Sequence, residues 1–215
     1  MDVVDFLVIG AGISGASAAY ELAAAGETWL LEAEDQPGYH STGRSAALYT
    51  ANFGTPLVRS INAAGFDFFT NPPEGFTDIP LVTPRGALTL AKPGHEAALA
   101  ALIAQSSPAH PIVALSHAEA VAKAPMIRPE TFTAAAFEAG VLDMDVDALH
   151  QAYLRGFKRR GGQICCTARV TGLARVAACG SSRRAVRRLA RGQLSMPPGL
   201  GAMFWARWRE RHRRG

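Results

Sequence analysis

The run Asp5-Phe6-Leu7-Val8-Ile9-Gly10-Ala11-Gly12-Ile13-Ser14-Gly15, with Glu32 after it, constrains this chain more than any other feature. Phe6 to Ile9 is apolar at every position, as a parallel strand buried on both faces must be. Gly10 permits a tight turn, Gly12 lets the backbone approach a pyrophosphate with no Cβ in the way, and Gly15 lets the next helix pack close to the strand. That helix is predicted from Ala16 to Ala25, ended by Gly26, with its N-terminal amides and positive dipole end facing the phosphates. A second strand, Thr28 to Leu31, then delivers Glu32 to a point where its carboxylate can accept hydrogen bonds from ribose hydroxyls. A lone G-x-G-x-x-G is weak, but between a strand and a helix, with an acid about twenty residues on, it specifies a dinucleotide site. The acid also disfavours a 2′-phosphate, because like charges would be forced together.

Composition narrows the class. The 215 residues are 48% hydrophobic and 19% charged, as in a globular chain long enough to bury a core. No apolar run approaches the roughly 18 residues of a membrane span. The N-terminus has neither a basic region nor a cleavage site, so no signal peptide is expected and the compartment is expected to be the cytoplasm. Cys165, Cys166 and Cys179 have no metal-ligand spacing, and adjacent cysteines on a strand point to opposite faces. No metal is expected.

After Glu32, the stretch Gln36-Pro37-Gly38-Tyr39-His40-Ser41-Thr42-Gly43-Arg44-Ser45-Ala46-Ala47 reads locally as a loop. Its composition alone suits a solvated surface; its place beside a nucleotide site suits a phosphate or a polar ring edge. Further on, Thr55-Pro56-Leu57 opens a helix to Phe69, and Leu81 to Leu90 reads as strand around Pro84-Arg85-Gly86. A helix runs from His95 to about Gln105, and Ser116-His117-Ala118-Glu119 has the spacing of a capping box. Thr131 to Leu142 is mostly strand. Asp143, Asp145 and Asp147 alternate as in a calcium loop but lack its Gly and distal Glu, so they read as acids favouring the dipole of a helix from Ala148 to Arg159. Gln163 to Thr167 returns to the sheet. His95, His110 and His117 read as surface residues.

The glycine loop, Glu32 and Gly38 to Ala46 resemble the N-terminal flavin half of the D-amino acid oxidase-like FAD-dependent oxidoreductases, and the stretch from Gln36 to Ala47 is most similar to the D-arginine dehydrogenase branch. The resemblance implies FAD and hydride transfer from an amine, with a D-amino acid as substrate. It assigns Gly10, Gly12 and Gly15 to the pyrophosphate with Ile13 and Ser14 beside them, and Glu32 with Ala33 to the adenosine ribose. Ser41, Thr42, Gly43, Arg44, Ser45 and Ala46 would line the diphosphate and isoalloxazine, and Val170 would offer backbone contacts at the adenine end. The implied fold is α/β: a Rossmann-like FAD-binding domain with a parallel sheet and helices, plus the first part of an α+β substrate domain. The expected division is 1–80 for the first FAD-binding segment, 81–140 for the partial substrate domain and 141–176 for the second FAD-binding segment. D-arginine-acting relatives place His at Leu48, Tyr at Phe53 and an acid at Ala87. A buried guanidinium needs a carboxylate partner, so these three pocket candidates point to neutral or apolar D-amino acids or secondary amines. No residue of this chain is singled out as an acid or base. A NAD-dependent Rossmann dehydrogenase would share the glycine loop but has no use for Ser41 to Ala46.

The tail has another composition. Residues 1–176 hold 12 Lys and Arg against 17 Asp and Glu, whereas 177–215 hold 10 Arg against the single acid Glu210. A nucleic-acid-binding arm is one reading. A shifted frame is the other. Residues 177–184 can be encoded so that the neighbouring frame reads Gly-Gly-Val-Trp-Gln-Leu-Glu-Thr, a natural continuation of a strand after Arg175-Val176. Residues 195–209 can be encoded so that the same frame reads Val-Asn-Ala-Ala-Gly-Ala-Trp-Gly-Asp-Val-Leu-Gly-Ala-Leu-Ala, similar to the family's second flavin-contacting strand and turn. The codons of Met196 before Pro197, and of Met203 before Phe204, force Ala and Val in that frame. The expectation is an out-of-frame tail without selected structure, a truncated chain, weak FAD binding and no turnover.

Overall fold

The computed structural model describes residues 4–172 and the backbone of 204–205. In chain order the elements are β1 (Phe6–Ile9), α1 (Ile13–Leu22), β2 (Thr28–Leu31), β3 (Ala47–Tyr49), α2 (Pro56–Thr70), β4 (Val82–Pro84) and β5 (Ala87–Ala91). They continue with α3 (Glu96–Ala104), β6 (Ile112–Leu115), α4 (His117–Lys123), β7 (Ala134–Glu138), β8 (Leu142–Met144), α5 (Val146–Arg159), β9 (Gln163–Cys165) and β10 (Phe204–Trp205). Two compact units divide the chain, one of residues 1–45 and 146–215, the other of Ala46–Asp145. The sequence predicts divisions at 80 and 140; the two compact units meet at Ser45/Ala46, just before β3 pairs with β8, and at Asp145/Val146.

The first unit is a sheet in the order β10-β1-β2-β9, with β1, β2 and β9 parallel and β10 antiparallel to β1. Small residues on α1 let it close on its neighbours. Ala16 and Ala19 are fully buried and share a core with Val8, Leu30, Leu154 and Phe157. Burying a ring such as Phe157 contributes about 1.5–3 kcal/mol. Gly156 on α5 admits the Tyr20 ring, and the Arg160 guanidinium lies 3.5 Å from that ring's centroid while donating to the Tyr20 carbonyl at 2.6 Å. Helix α1 begins at Ile13, three residues earlier than its composition predicts, because Gly12 takes the extended cap conformation and Gly15 is helical despite its low propensity. The expected out-of-frame tail lies outside the described residues, apart from Phe204–Trp205, whose backbone pairs with Ile9 and Val8.

The second unit holds two antiparallel sheets, β3-β8-β4 and β5-β7-β6. The strand predicted from Leu81 to Leu90 around Pro84-Arg85-Gly86 forms as two, β4 joined to β8 and β5 joined to β7. The Arg85 and Gly86 amides donate to the Val141 carbonyl, at 3.1 and 2.9 Å. Asp143 pairs with Arg85 at 2.6 Å, and Asp147 lies in the first turn of α5 in the other unit. Among the described residues no cluster of His, Cys, Asp and Glu could hold a metal, and no helix is long and apolar enough to cross a membrane. His95 and His117 are exposed, whereas His110 is half-buried, its ring at a steep angle to that of Phe66. Cys165 and Cys166 are half-buried free thiols, and burial raises the pKa of Cys166.

Candidate cofactor site

The glycine cradle is built at the carboxyl ends of β1 and β2, within the first unit. Gly10 has φ +93° and donates to the Leu31 carbonyl at 2.7 Å, tying the turn after β1 to the end of β2. A Cβ on Gly15 would stand 1.8 Å from the Gly10 carbonyl oxygen, so only glycine allows α1 to start this close to the turn. At the start of α1, Gly12 has no side-chain cap and the first turn has no acid. The Ile13 amide donates to Thr42 Oγ1 at 3.0 Å. Among the described residues, the amides of Gly12, Ser14 and Gly15 take no hydrogen bond. Unpaired amides at a positive dipole end, beside an open glycine, fit a pyrophosphate.

Glu32 stands at the end of β2, as predicted. Its Oε2 accepts from the Ala11 amide at 2.7 Å and its Oε1 from the Glu34 amide at 3.1 Å. A carboxylate offers about four lone-pair sites, so two remain to accept further donors. Ala33, half-buried, follows it. The returning chain is laced onto this corner: the Glu32 amide donates to the Cys165 carbonyl at 2.8 Å, and the Ala168 amide to the Glu32 carbonyl at 2.7 Å. Thr167 takes φ +54°, rare for a threonine, and donates its amide to the Glu34 carbonyl. Val170, half-buried, follows two residues after this lacing.

The loop after Glu32 turns at Gly38, φ +78°, whose carbonyl accepts from the Gly43 amide at 2.7 Å. This closure brings Thr42 to the first amide of α1, where its hydroxyl accepts and retains its own proton to donate. Ser41, Gly43, Arg44 and Ser45 are exposed, with Arg44 5.5 Å from the Tyr39 ring centroid; Ala46 opens the other unit. In that unit Leu48 and Phe53 are exposed, and Ala87 starts β5 directly opposite Glu138 of β7. Glu138 is buried, and its Oε1 accepts from Thr50 Oγ1 at 3.0 Å and Asn52 Nδ2 at 2.8 Å. The sequence reading missed this carboxylate, because only strand register reveals that it faces position 87.

It also missed His150. Its ring is buried on α5, and Nε2 lies 2.8 Å from the Ala11 carbonyl. The signal in the sequence is a polar residue inside an apolar helical stripe with Val146, Leu149, Tyr153 and Phe157.

Solved structures share this architecture. Glycine oxidase from Geobacillus kaustophilus superposes with a TM-score of 0.70 at 20% identity, covering 81% of this chain and 49% of that one. FAD-bound L-alpha-glycerophosphate oxidase from Mycoplasma pneumoniae gives 0.69 at 22% identity, covering 80% and 47%. Iminodiacetate oxidase from Chelativorans sp. BNC1 gives 0.58 at 25% identity, covering 74% and 45%. The chain thus spans about half the length of these structures. Residues 5–193 match the family described as FAD dependent oxidoreductase (DAO), which selects FAD over a nicotinamide cofactor: the chain belongs to this family of FAD-dependent oxidoreductases.

Proposed function

We propose that this chain carries the cofactor-binding part of an amine-oxidising flavoenzyme whose substrate is a neutral or apolar D-amino acid or a secondary amine. The observation that carries the proposal is the set of unpaired amides at Gly12, Ser14 and Gly15, set beside a Glu32 carboxylate with acceptor sites to spare. Gly10, Gly12, Gly15, Ile13 and Ser14 then bind the pyrophosphate, Glu32 and Ala33 the ribose, Ser41 to Ala46 the diphosphate and ring, and Val170 the adenine end. When bound, the flavin supplies hydride acceptance from the α-carbon of the amine, and the resulting imine hydrolyses to an oxo acid. The protein's part is to orient both molecules and exclude competing reactions. Glycine oxidase and iminodiacetate oxidase, two of the similar structures, are named for amine substrates, which supports the reaction class.

Leu48, Phe53 and Ala87 carry the preference for neutral side chains. The carboxylate facing Ala87, Glu138, is already engaged by Thr50 and Asn52. Placement near the D-arginine dehydrogenase branch rests on Gln36 to Ala47, and the out-of-frame reading of 177–215 on its alternative codings. The family match runs past 176 to 193, so resequencing across the junction is the direct test of that reading. The 215-residue chain is proposed to bind FAD weakly and to turn over no substrate.

The function is tested by purifying the in-frame gene product, recording its flavin absorption and screening amines with an artificial electron acceptor. D-leucine or D-alanine should outrun D-arginine. Faster oxidation of D-arginine would overturn the substrate assignment, and a protein without flavin absorption that reduces NAD would overturn the whole reading.

A further inference from the structure

We propose that His150 is a positioning residue for the phosphate-binding loop, holding the Ala11–Gly12 peptide so that the Gly12 amide faces the cofactor. The proposal rests on the reading of this loop as the pyrophosphate site. Its geometry involves three segments far apart in sequence. His150 Nε2 lies 2.8 Å from the Ala11 carbonyl oxygen, across 139 residues. A carbonyl only accepts, so Nε2 carries the proton and donates. The described chain contains no cis peptide, and in a trans peptide the C=O and N–H point in opposite directions. Fixing the Ala11 oxygen on α5 therefore turns the Gly12 N–H away from α5, and that N–H takes no hydrogen bond among the described residues.

The preceding peptide is fixed as well. The Ala11 amide donates to Glu32 Oε2 at 2.7 Å, so Ala11 is held on one side by β2 and on the other by α5. Ala11 itself has no exposed surface, which leaves water no access to compete for either bond. His150 has a second neighbour. A Cβ on Gly38 would stand 2.8 Å from its Cε1 and 3.0 Å from its Nδ1, so the ring packs directly on the bare Cα of that turn. Gly38 in turn accepts from the Gly43 amide, and the residue before Gly43, Thr42, accepts from Ile13. One imidazole thus sets the glycine loop and braces the turn of the loop that caps α1. A buried aliphatic residue at 150 would fill the space but leave the Ala11 carbonyl without a donor, and the peptide plane free to rotate.

The test compares the full chain with His150→Phe, which keeps a ring without a donor, and His150→Gln, which restores an amide donor. Where the larger ring overfills the space beside Gly38, His150→Met carries the same comparison. Affinities for FAD, ADP and adenosine are measured by fluorescence or calorimetry, with thermal midpoints recorded without ligand. Loss of one aligned donor should weaken FAD and ADP about five- to tenfold. Adenosine, which lacks phosphate, should bind unchanged, and His150→Gln should recover most of the loss. Equal weakening of adenosine and ADP, or equal loss in the Phe and Gln variants, would overturn the positioning role in favour of packing alone. Wild-type affinity for ADP in His150→Phe would overturn it too, leaving the cofactor site intact. A wild-type chain that binds neither FAD nor ADP would overturn the site itself.

Discussion

Gly15→Ala tests the cradle most sharply. The added Cβ would stand 1.8 Å from the Gly10 carbonyl oxygen and 3.0 Å from its carbon. A carbon and a carbonyl oxygen rest at about 3.3 Å or more, so α1 must withdraw from the turn by about 1.5 Å. The obstruction is backbone, and no rotamer relieves it. Overpacking of this kind costs about 1–3 kcal/mol and occasionally more, offset by up to about 1 kcal/mol from replacing a helical glycine. We expect a net loss of about 2 kcal/mol, a large part of the roughly 5–15 kcal/mol that holds a domain together. Gly12→Ala is the control. Its Cβ would stand 3.2 Å from Thr42 Oγ1, the end of a side chain that can shift, so stability should change by less than about 1 kcal/mol. The methyl group nonetheless occupies the approach to the unpaired amides, and FAD affinity should fall about tenfold or more. Urea unfolding followed by circular dichroism, with FAD titrations on each variant, separates the two effects. A Gly15→Ala unfolding curve superimposed on the wild type, or a Gly12→Ala protein that binds FAD as tightly, would refute the reasoning.

Further outcomes are expected elsewhere in the chain. Ser116→Ala should destabilise α4 by about 1 kcal/mol, because the Ser116 hydroxyl accepts from the Glu119 amide while the Glu119 carboxylate accepts from the Ser116 hydroxyl and amide. Those bonds, the side-chain one first, hold the Glu119 pKa below the usual carboxylate value, so its contribution is present above that value and lost as pH falls through the lowered one; the stability gap to Glu119→Gln should close on acidification. Glu138→Ala leaves Thr50 and Asn52 without their shared acceptor and should cost about 2 kcal/mol by denaturant titration, with Glu138→Gln milder. Burial, then the charge of Glu21, pushes the Tyr153 pKa up to about 12. The neutral phenol stabilises the fold below the ordinary tyrosine value, and this is lost as pH rises through the raised one; ultraviolet titration should show one tyrosine that ionises only near there, and Tyr153→Phe should abolish that step.

What the sequence made legible follows from the range of each interaction. The strands Phe6–Ile9 and Thr28–Leu31 are written in their own composition, since burial on both faces needs an apolar run. The Thr55 and Ser116 caps are equally local, each hydroxyl meeting an amide three residues on. The turn at Pro84-Arg85-Gly86 is local too, yet it does not say which strands flank it, and β4 and β5 part to different sheets because their partners lie near 140. His150 and Glu138 were invisible for the same reason: each acts across 86 to 139 residues, and no window around either shows its partner. Helix α1 was misjudged at its start because propensity discounts Gly15, whereas the close approach to Gly10 requires it.

The bond between His150 and the Ala11 carbonyl also imposes an order in time. During synthesis at about 5–20 residues per second, the 139 residues from Gly12 to His150 take about 7–28 s to emerge. For most of that interval, once Leu31 has been made, β1, α1 and β2 form a strand-helix-strand with neither α5 nor β9 to complete it, and the loop's peptide has no donor on that side. The second unit is made entirely within the gap. A ribosome-bound chain arrested before α5 would therefore expose the glycine loop in an unset state, and nascent chains stalled on either side of residue 150 should differ in their capacity to retain FAD.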